Sequence, residues 1–367
     1  MIIGQENTGG DSINLYPLLL KPLYKEKIWG GSKIREVFDR EITSDKIGES
    51  WELAAHEHGN NLVNNGKYTG QPFLDLVSRF SEEMMGKELN RNKKMFFPLL
   101  FKVIDASDKL SVQVHPDDGY AQKVEGEPGK TEMWYIIDAE DGAKLIYGVK
   151  AGTSKKDFAR AIREGSLEKY LNEVEVNKGD IFFIPSGAVH AIKGGILLAE
   201  IQQNSDTTYR VYDWNRMGRD GKPRDLHIEK AVDVINFNLT SAGKNIDELV
   251  KTTKNYTRKI MAVCPYFTAE KIAVKKFFAL KPAQQRFYII MNLNGQGMLK
   301  YQGEKYPFKK GMTYFIPASL NKVKVTGKLE MLSFYLPLSK DKITNELRKI
   351  GFSREEIEKT AGYNLNW

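Results

Sequence analysis

The chain has 367 residues, with 55 Lys+Arg against 47 Asp+Glu, a formal net charge of +8 and a hydrophobic share of 41%. That is enough apolar material for a packed core, and at roughly 100–200 residues per domain it predicts two domains. The single cysteine, Cys264, excludes an internal disulfide and a Cys-rich zinc site, and no uncharged apolar stretch of about 18 residues exists to span a membrane. The best apolar run, Met95 to Phe101, is broken by Lys102. The opening residues, MIIGQENTGGDSIN, lack the basic and apolar regions of a secretory signal, so a soluble cytoplasmic protein is expected. Basic and acidic residues are mixed along the chain, as in Lys25 to Lys27, and no basic tract points to nucleic acid. A mild positive bias suits an anionic small substrate such as a phosphate ester.

In chain order, short alternating or apolar runs bounded by Gly, Asn, Asp and Pro predict strands at Ser50–His56, Lys109–His115, Glu132–Ile137, Lys144–Val149, Asp180–Pro185 and Gly195–Gln203. Helical spacing predicts helices over Pro72–Leu89 and Thr153–Leu171, and a third over Asp225–Ile235 with Asp225 as its N-cap. Many strands and few helices predict a mainly β core carrying helical insertions. Residues Val174–Gly195 align without a gap with Tyr306–Gly327, matching Lys178-Gly179 to Lys310-Gly311 and Phe183-Ile184-Pro185 to Phe315-Ile316-Pro317. Upstream, Trp134–Tyr147 resembles Phe287–Tyr301. Two copies of one β unit predict two related small barrels. The expected division is a metal-binding unit over 1–237, a polar linker over 238–254 and a degenerate copy over 255–367 ending in a helix. In this alignment His190 falls opposite Lys322 and Glu132 opposite Gln285, so only the first copy carries the chemistry of those two residues.

On the predicted strand Lys109–His115, Lys109, Ser111, Gln113 and His115 share one face. Lys130, Glu132 and Trp134 share a face of the next strand, and His190 opens another. If the inward faces converge, Gln113, His115, Glu132 and His190 offer two imidazoles, a carboxylate and an amide oxygen. That set suits Zn²⁺, and also Fe²⁺, Mn²⁺, Co²⁺ or Ni²⁺. Single histidines more often serve structure, and His56, His58 and His227 are read that way. Lys130 and Arg210, taken alone, read as ordinary surface charges.

The phrases LSVQVHPDD (Leu110–Asp118), GKTEMWYIID (Gly129–Asp138), IPSGAVHAI (Ile184–Ile192) and EIQQNSDTTYRVYDWNR (Glu200–Arg216) resemble the class I mannose-6-phosphate isomerases in their short bacterial form. IWGG (Ile28–Gly31) and IGESWELAAH (Ile47–His56) resemble the N-terminal pieces of that family. The resemblance implies two cupin-type, jelly-roll barrels and one zinc ion per chain on Gln113, His115, Glu132 and His190. It further implies a catalytic Arg210, an acidic Glu200 and an active-site Lys130. Longer eukaryotic members have His-Lys-Pro-Glu where this chain has Gly129-Lys130-Thr131-Glu132, so no histidine role exists at Gly129.

The implied reaction interconverts mannose 6-phosphate and fructose 6-phosphate, moving a proton between C1 and C2 through an enediol or enediolate. A Lewis acid stabilises the charge that develops on oxygen. Two neutral His, one Gln and one Glu around a divalent ion leave a net positive centre. Lys130 or Glu200 is the expected proton-transfer group. Arg210 suits the enediolate or the phosphate, and Ser111 and Lys109 are further candidates for the phosphate. Two alternatives share the fold: a metal-dependent cupin oxygenase on two His and a Glu, and a sugar-binding cupin without activity. Gln113 and the Lys130/Arg210 cations argue against the first, and the intact ligand set against the second.

Overall fold

The computed structural model describes residues 14–89, 97–218, 221–240 and 248–367. The opening MIIGQENTGGDSI, Met95 and Phe96 of the apolar run before Lys102 and the centre of the expected linker lie outside the described residues.

The chain begins with β1 (Leu18–Lys21), β2 (Leu23–Gly31), α1 (Lys33–Phe38), β3 (Ile47–Leu53), β4 (Ala55–His56), β5 (Gly59–Asn60) and β6 (Leu62–Val63). The apolar stripe expected of one helix over Pro72–Leu89 is buried, but it forms two, α2 (Phe73–Arg79) and α3 (Ser81–Met85). Phe80 leaves helical geometry between them at φ −127° and ψ 44°. The break re-aims α3, whose last carbonyls, Glu83 and Met84, accept from Ser319 and Ala318 of the second copy.

Next come β7 (Leu99–Ala106), β8 (Val112–Val114), α4 (Asp118–Val124), β9 (Glu132–Ala139), β10 (Lys144–Val149) and α5 (Lys155–Arg163). Ser154 caps α5 by accepting from the Asp157 amide. The expected continuation to Leu171 stops because Gly165 turns left-handed, at φ 67°. Then follow β11 (Leu171–Glu175), β12 (Ile181–Ile184), β13 (His190–Ile192), β14 (Ile196–Gln203), β15 (Tyr209–Tyr212) and α6 (Ile228–Val234). The N-cap of α6 is His227 rather than Asp225, whose carbonyl instead accepts from Arg210.

The second copy runs through β16 (Leu249–Thr252), β17 (Tyr256–Val263), β18 (Thr268–Val274), β19 (Phe277–Leu280), β20 (Tyr288–Tyr301), β21 (Glu304–Lys309), β22 (Thr313–Ile316) and β23 (Val323–Tyr335), closing with α7 (Lys340–Lys349) and α8 (Arg354–Glu358).

In the first copy a six-stranded sheet, β12-β9-β14-β7-β3-β2, accompanies a five-stranded sheet, β11-β10-β13-β8-β15. The second copy repeats the first order as β22-β20-β23-β18-β17-β16. There β20 and β23 run unbroken, where the first copy splits the corresponding lengths into β9 and β10 and into β13 and β14. The second copy therefore forms one large sheet. The repeat is real in topology but its ladder has slipped. Ile184 pairs with Glu132, whereas Ile316 pairs with Tyr288 rather than Gln285. The sheets are also open. The five-stranded sheet ends on β11 and β15, and β8 and β13 are three-residue strands with few ladder bonds to carry closure, so the fold is mainly β without two sealed barrels.

One apolar core joins the copies. Phe101 packs on Phe334 at 4.8 Å and Phe97 on Phe287 at 5.1 Å between ring centres. β1, from the N-terminal part of the chain, pairs with β22 of the second copy, Leu18 opposite Phe315. Beside it Arg40 holds Glu52 at 2.7 Å, and Thr313 donates to the same carboxylate at 2.8 Å.

Candidate active site

The five-stranded sheet sets three candidate residues in one cross-strand row: His190 on β13 and Arg210 on β15 both stand opposite Gln113 on β8. His115 follows β8, and Glu132 opens β9 beneath it. His115, Glu132 and His190 each offer one ligand atom within 4.8 Å of the others, and all three are buried. His190 Nε2 lies 3.3 Å from one Glu132 oxygen and His115 Nε2 lies 3.7 Å from the other. Nitrogen and oxygen ligands held at about 2.0–2.2 Å around a tetrahedral ion stand roughly 3.3–3.6 Å apart.

The tautomers are set from behind. His115 Nδ1–H donates to the Thr207 carbonyl at 3.0 Å, and His190 Nδ1–H donates to the Ala188 carbonyl at 2.9 Å. Each ring therefore turns an Nε2 lone pair inward, as outer partners of metal-binding imidazoles do. Burial, then Lys130, pushes His115 well below its ordinary range, and burial pushes His190 down to about 4. Both rings are neutral and fit to ligate. His115 Nε2 and both Glu132 oxygens are buried with no hydrogen-bond partner, a costly arrangement that a cation would relieve. The Gln113 amide donates to His190 Nε2 at 3.2 Å, and a half-turn of that amide brings its oxygen to the same centre. The residues present fit a divalent ion.

Above them lies a cavity of about 320 Å³, lined by Ser111, Gln113, Lys130, His190, Glu200 and Arg210 among others. Lys130 is buried with its ammonium 3.3 Å from Glu132. Glu200 on β14 stands between Trp134 and Lys102, accepting from the Trp134 indole at 2.9 Å. Burial, then the Glu132 charge, raises its pKa. Arg210 donates from Nη1 to the Asp225 carbonyl at 2.8 Å, while its Nε is buried without a partner. His227 was read from sequence only as the start of a helix. It accepts the Arg210 backbone N–H at 3.2 Å and so holds the arginine's strand in place.

One expected residue is not brought in. The alternation from Lys109 to His115 fails because β8 is only Val112–Val114, and the Lys109 ammonium lies over the Trp214 ring at 4.6 Å. Sequence reading also missed Lys102, whose ammonium is buried 3.6 Å from Glu200. Burial opposes its charge, but Glu49 and Glu200 hold its pKa up. A lysine inside the apolar strand Leu99–Ala106 was the available signal. Lys27, Glu49, Asp206 and Arg224 complete the charged lining. Gly129 has a steric cause: a Cβ there would stand 2.5 Å from the backbone of Asp117 and Asp118. His56 is half-buried and His58 exposed, the latter 2.9 Å from Asp206, and neither joins the cluster.

Among the described residues no helix is long and apolar enough to cross a membrane. The sequence matches the family description "Phosphomannose isomerase type I, catalytic domain" over residues 18–141 and "Mannose-6-phosphate isomerase, cupin domain" over residues 257–336. It is 39% identical to a mannose-6-phosphate isomerase of Streptococcus mutans over 86% of this chain and 97% of that one. It is 40% identical to a mannose-6-phosphate isomerase of Bacillus subtilis over 87% and 99%. The crystal structure of the mannose 6-phosphate isomerase from Bacillus subtilis superposes with a TM-score of 0.80 at 37% identity, covering 87% of this chain and 99% of that one. A phosphomannose isomerase from Salmonella typhimurium shares the fold at 15% identity and a TM-score of 0.71, over 87% and 99%. Likeness in sequence along most of the chain, the cupin match in the second copy and the same architecture converge, and the chain belongs to the type I mannose-6-phosphate isomerase family.

Proposed function

We propose that the protein interconverts mannose 6-phosphate and fructose 6-phosphate with one divalent ion per chain, zinc by preference, held by Gln113, His115, Glu132 and His190. The observation that carries this reading is the buried His115, Glu132 and His190 cluster, whose His115 Nε2 and Glu132 oxygens have no hydrogen-bond partner, under a cavity rich in cations. When bound, the ion would polarise the sugar's carbonyl oxygen and hold the negative charge that develops there. Lys130 and Glu200, buried on either side of the cluster, are the proton-moving groups. Glu200 is suited to both directions of transfer because its raised pKa brings it nearer neutrality. Arg210 presents a fixed charge and an unpartnered Nε to the enediolate or the phosphate, with Ser111 beside it. Lys102, between Glu49 and Glu200, keeps the carboxylate side of the cavity charge-balanced. The first copy is the catalytic unit and the second its support. A phosphosugar substrate and one buried free thiol, Cys264, fit a cytoplasmic enzyme.

Family membership and the cationic lining leave the oxygenase and the inactive sugar-binder without support. The reading is tested by following fructose 6-phosphate conversion to mannose 6-phosphate by the purified holoenzyme and by Glu132→Ala. Turnover by the first and none by the second is expected. Undiminished turnover by Glu132→Ala contradicts the assignment.

A further inference from the structure

The second copy has a cavity of its own, about 710 Å³, at the place in its fold where the first copy holds the catalytic cluster. Lys322, aligned with His190, lines it, as His190 lines the first. The ladder between β19 and β23 ends at Leu280 opposite Val323. Continuing that register by one residue sets Lys281 opposite Lys322, as Gln113 stands opposite His190. Tyr288 stands at the pairing position of Glu132 and also lines the cavity. The positions that offer metal ligands in one copy thus offer ammonium groups and a phenol in the other.

The floor of this cavity is charged and buried. Arg286 is 3% exposed and among the described residues pairs with one carboxylate, Glu346 on α7, in a two-pronged pair at 3.0 and 2.5 Å. The Glu346 side chain is 42% exposed, so the partner of a buried arginine is a carboxylate that reaches in from outside. A second arginine, Arg258, is already matched by Glu270, with Tyr335 donating to the same carboxylate at 2.8 Å. Around the opening stand Lys281, Lys322 and Lys349, and among the described residues no carboxylate pairs with any of them. Unpaired cations over a buried arginine call for a multiply charged anion, which a phosphate monoester supplies at about −1.5 to −2 and a single carboxylate does not. Two phosphate oxygens meet the guanidinium fork as the carboxylate now does. The volume falls in the roughly 300–1,000 Å³ of small-molecule sites, larger than phosphate alone needs, and Phe278, Tyr288 and Tyr335 give the remainder of a ligand an aromatic wall.

We propose that this cavity is a second, non-catalytic site for a small organic phosphate monoester, whose phosphate takes the place of Glu346 on Arg286 beneath Lys281, Lys322 and Lys349. The site is separate from the catalytic cavity and does not depend on the metal. The test is calorimetric titration of the metal-loaded full chain with glycerol 3-phosphate, beside Lys322→Gln/Lys349→Gln and Glu346→Gln. Both rim lysines are exposed, so the double variant is expected to fold and to isomerise sugars as the parent does. It should weaken binding about tenfold or more, and Glu346→Gln, which frees Arg286, should tighten it by about as much. Inorganic phosphate should bind at least about tenfold more weakly and malonate more weakly still. Binding unmoved by either variant belongs to the catalytic cavity and overturns the proposal. Equal binding of inorganic phosphate overturns the organic part of it, and tighter binding of malonate overturns the phosphate part.

Discussion

The six-stranded sheet of the first copy and the six matching strands within the larger sheet of the second share one strand order and differ in the charges they bury. On β3, β7 and β14 the first copy sets Glu49, Lys102 and Glu200, a lysine between two carboxylates. On β17, β18 and β23 the second sets Arg258, Glu270 and Tyr335, a carboxylate between a guanidinium and a phenol. Topology is therefore kept while chemistry is exchanged. One proposed metal ligand depends on an element the second copy lacks. His115 and Lys130 lie in the excursion through α4 between β8 and β9, and β19 leads to β20 with no helix between them.

The sharpest way to break this comparison is to remove the second copy. Ending the chain near Asn238 would expose Phe97 and Phe101 and strip β1 of its partner β22. Aggregation or loss of soluble protein is expected, read by size-exclusion chromatography, because patches of this kind are not tolerated on a monomer. A soluble, fully active product would show that the second copy is dispensable. Within the whole chain, Phe334→Ala should cost about 3–5 kcal/mol in a denaturant melt.

Next in size is a paired substitution. His190→Ala should lose bound metal by more than the ~10–100-fold typical of outer-shell changes, and turnover with it. Lys322→Ala, at the aligned position, should leave metal content and isomerisation where they were. Equal effects from the two would abolish the distinction between the copies.

Arg210→Lys keeps the charge and loses the planar fork. It should fold normally, retain its metal and lose on the order of 10²-fold in kcat, with a smaller change in KM. Near-normal turnover would move the charge-stabilising role to Lys130.

The smallest expected effect is in pH. His190 titrates near 6.5 in the unfolded chain and near 4 when folded. The unfolded chain therefore binds the extra proton between those values, and stability rises with pH across the window. Its contribution is present above about pH 6.5 and is lost as pH falls toward 4, at most about 3 kcal/mol. Urea melts of chelated protein at both ends of the window should show the slope, and His190→Gln should flatten it. An unchanged slope in that variant would assign the effect elsewhere.

Much of this was legible in the sequence. Alternation located β9, β10, β12 and β14 to within a residue or two, and the Lys-Gly and Phe-Ile-Pro matches revealed the repeat. The candidate ligand set was legible because Gln113 and His115 flank Val114 at the end of β8 and Glu132 and His190 each begin a strand. Lys109 was misplaced because alternation carries no information about where a strand starts, and β8 starts three residues later. The slip that sets Tyr288 opposite Ile316 was hidden because sequence alignment reports similarity rather than pairing. Lys102 stood in plain view inside an apolar strand. Its role needed Glu49 and Glu200, which are close only in three dimensions. The break at Phe80 reflects contacts with the second copy that no local pattern contains.

One copy is expected to hold one catalytic ion and the other none. This expectation is tested most directly by elemental analysis and a fructose 6-phosphate to mannose 6-phosphate assay on the same sample, before and after chelation. About one zinc-class ion per chain is expected, lost together with activity and restored with it on adding the metal back. Two ions per chain, or full activity in fully demetallated protein, would contradict it.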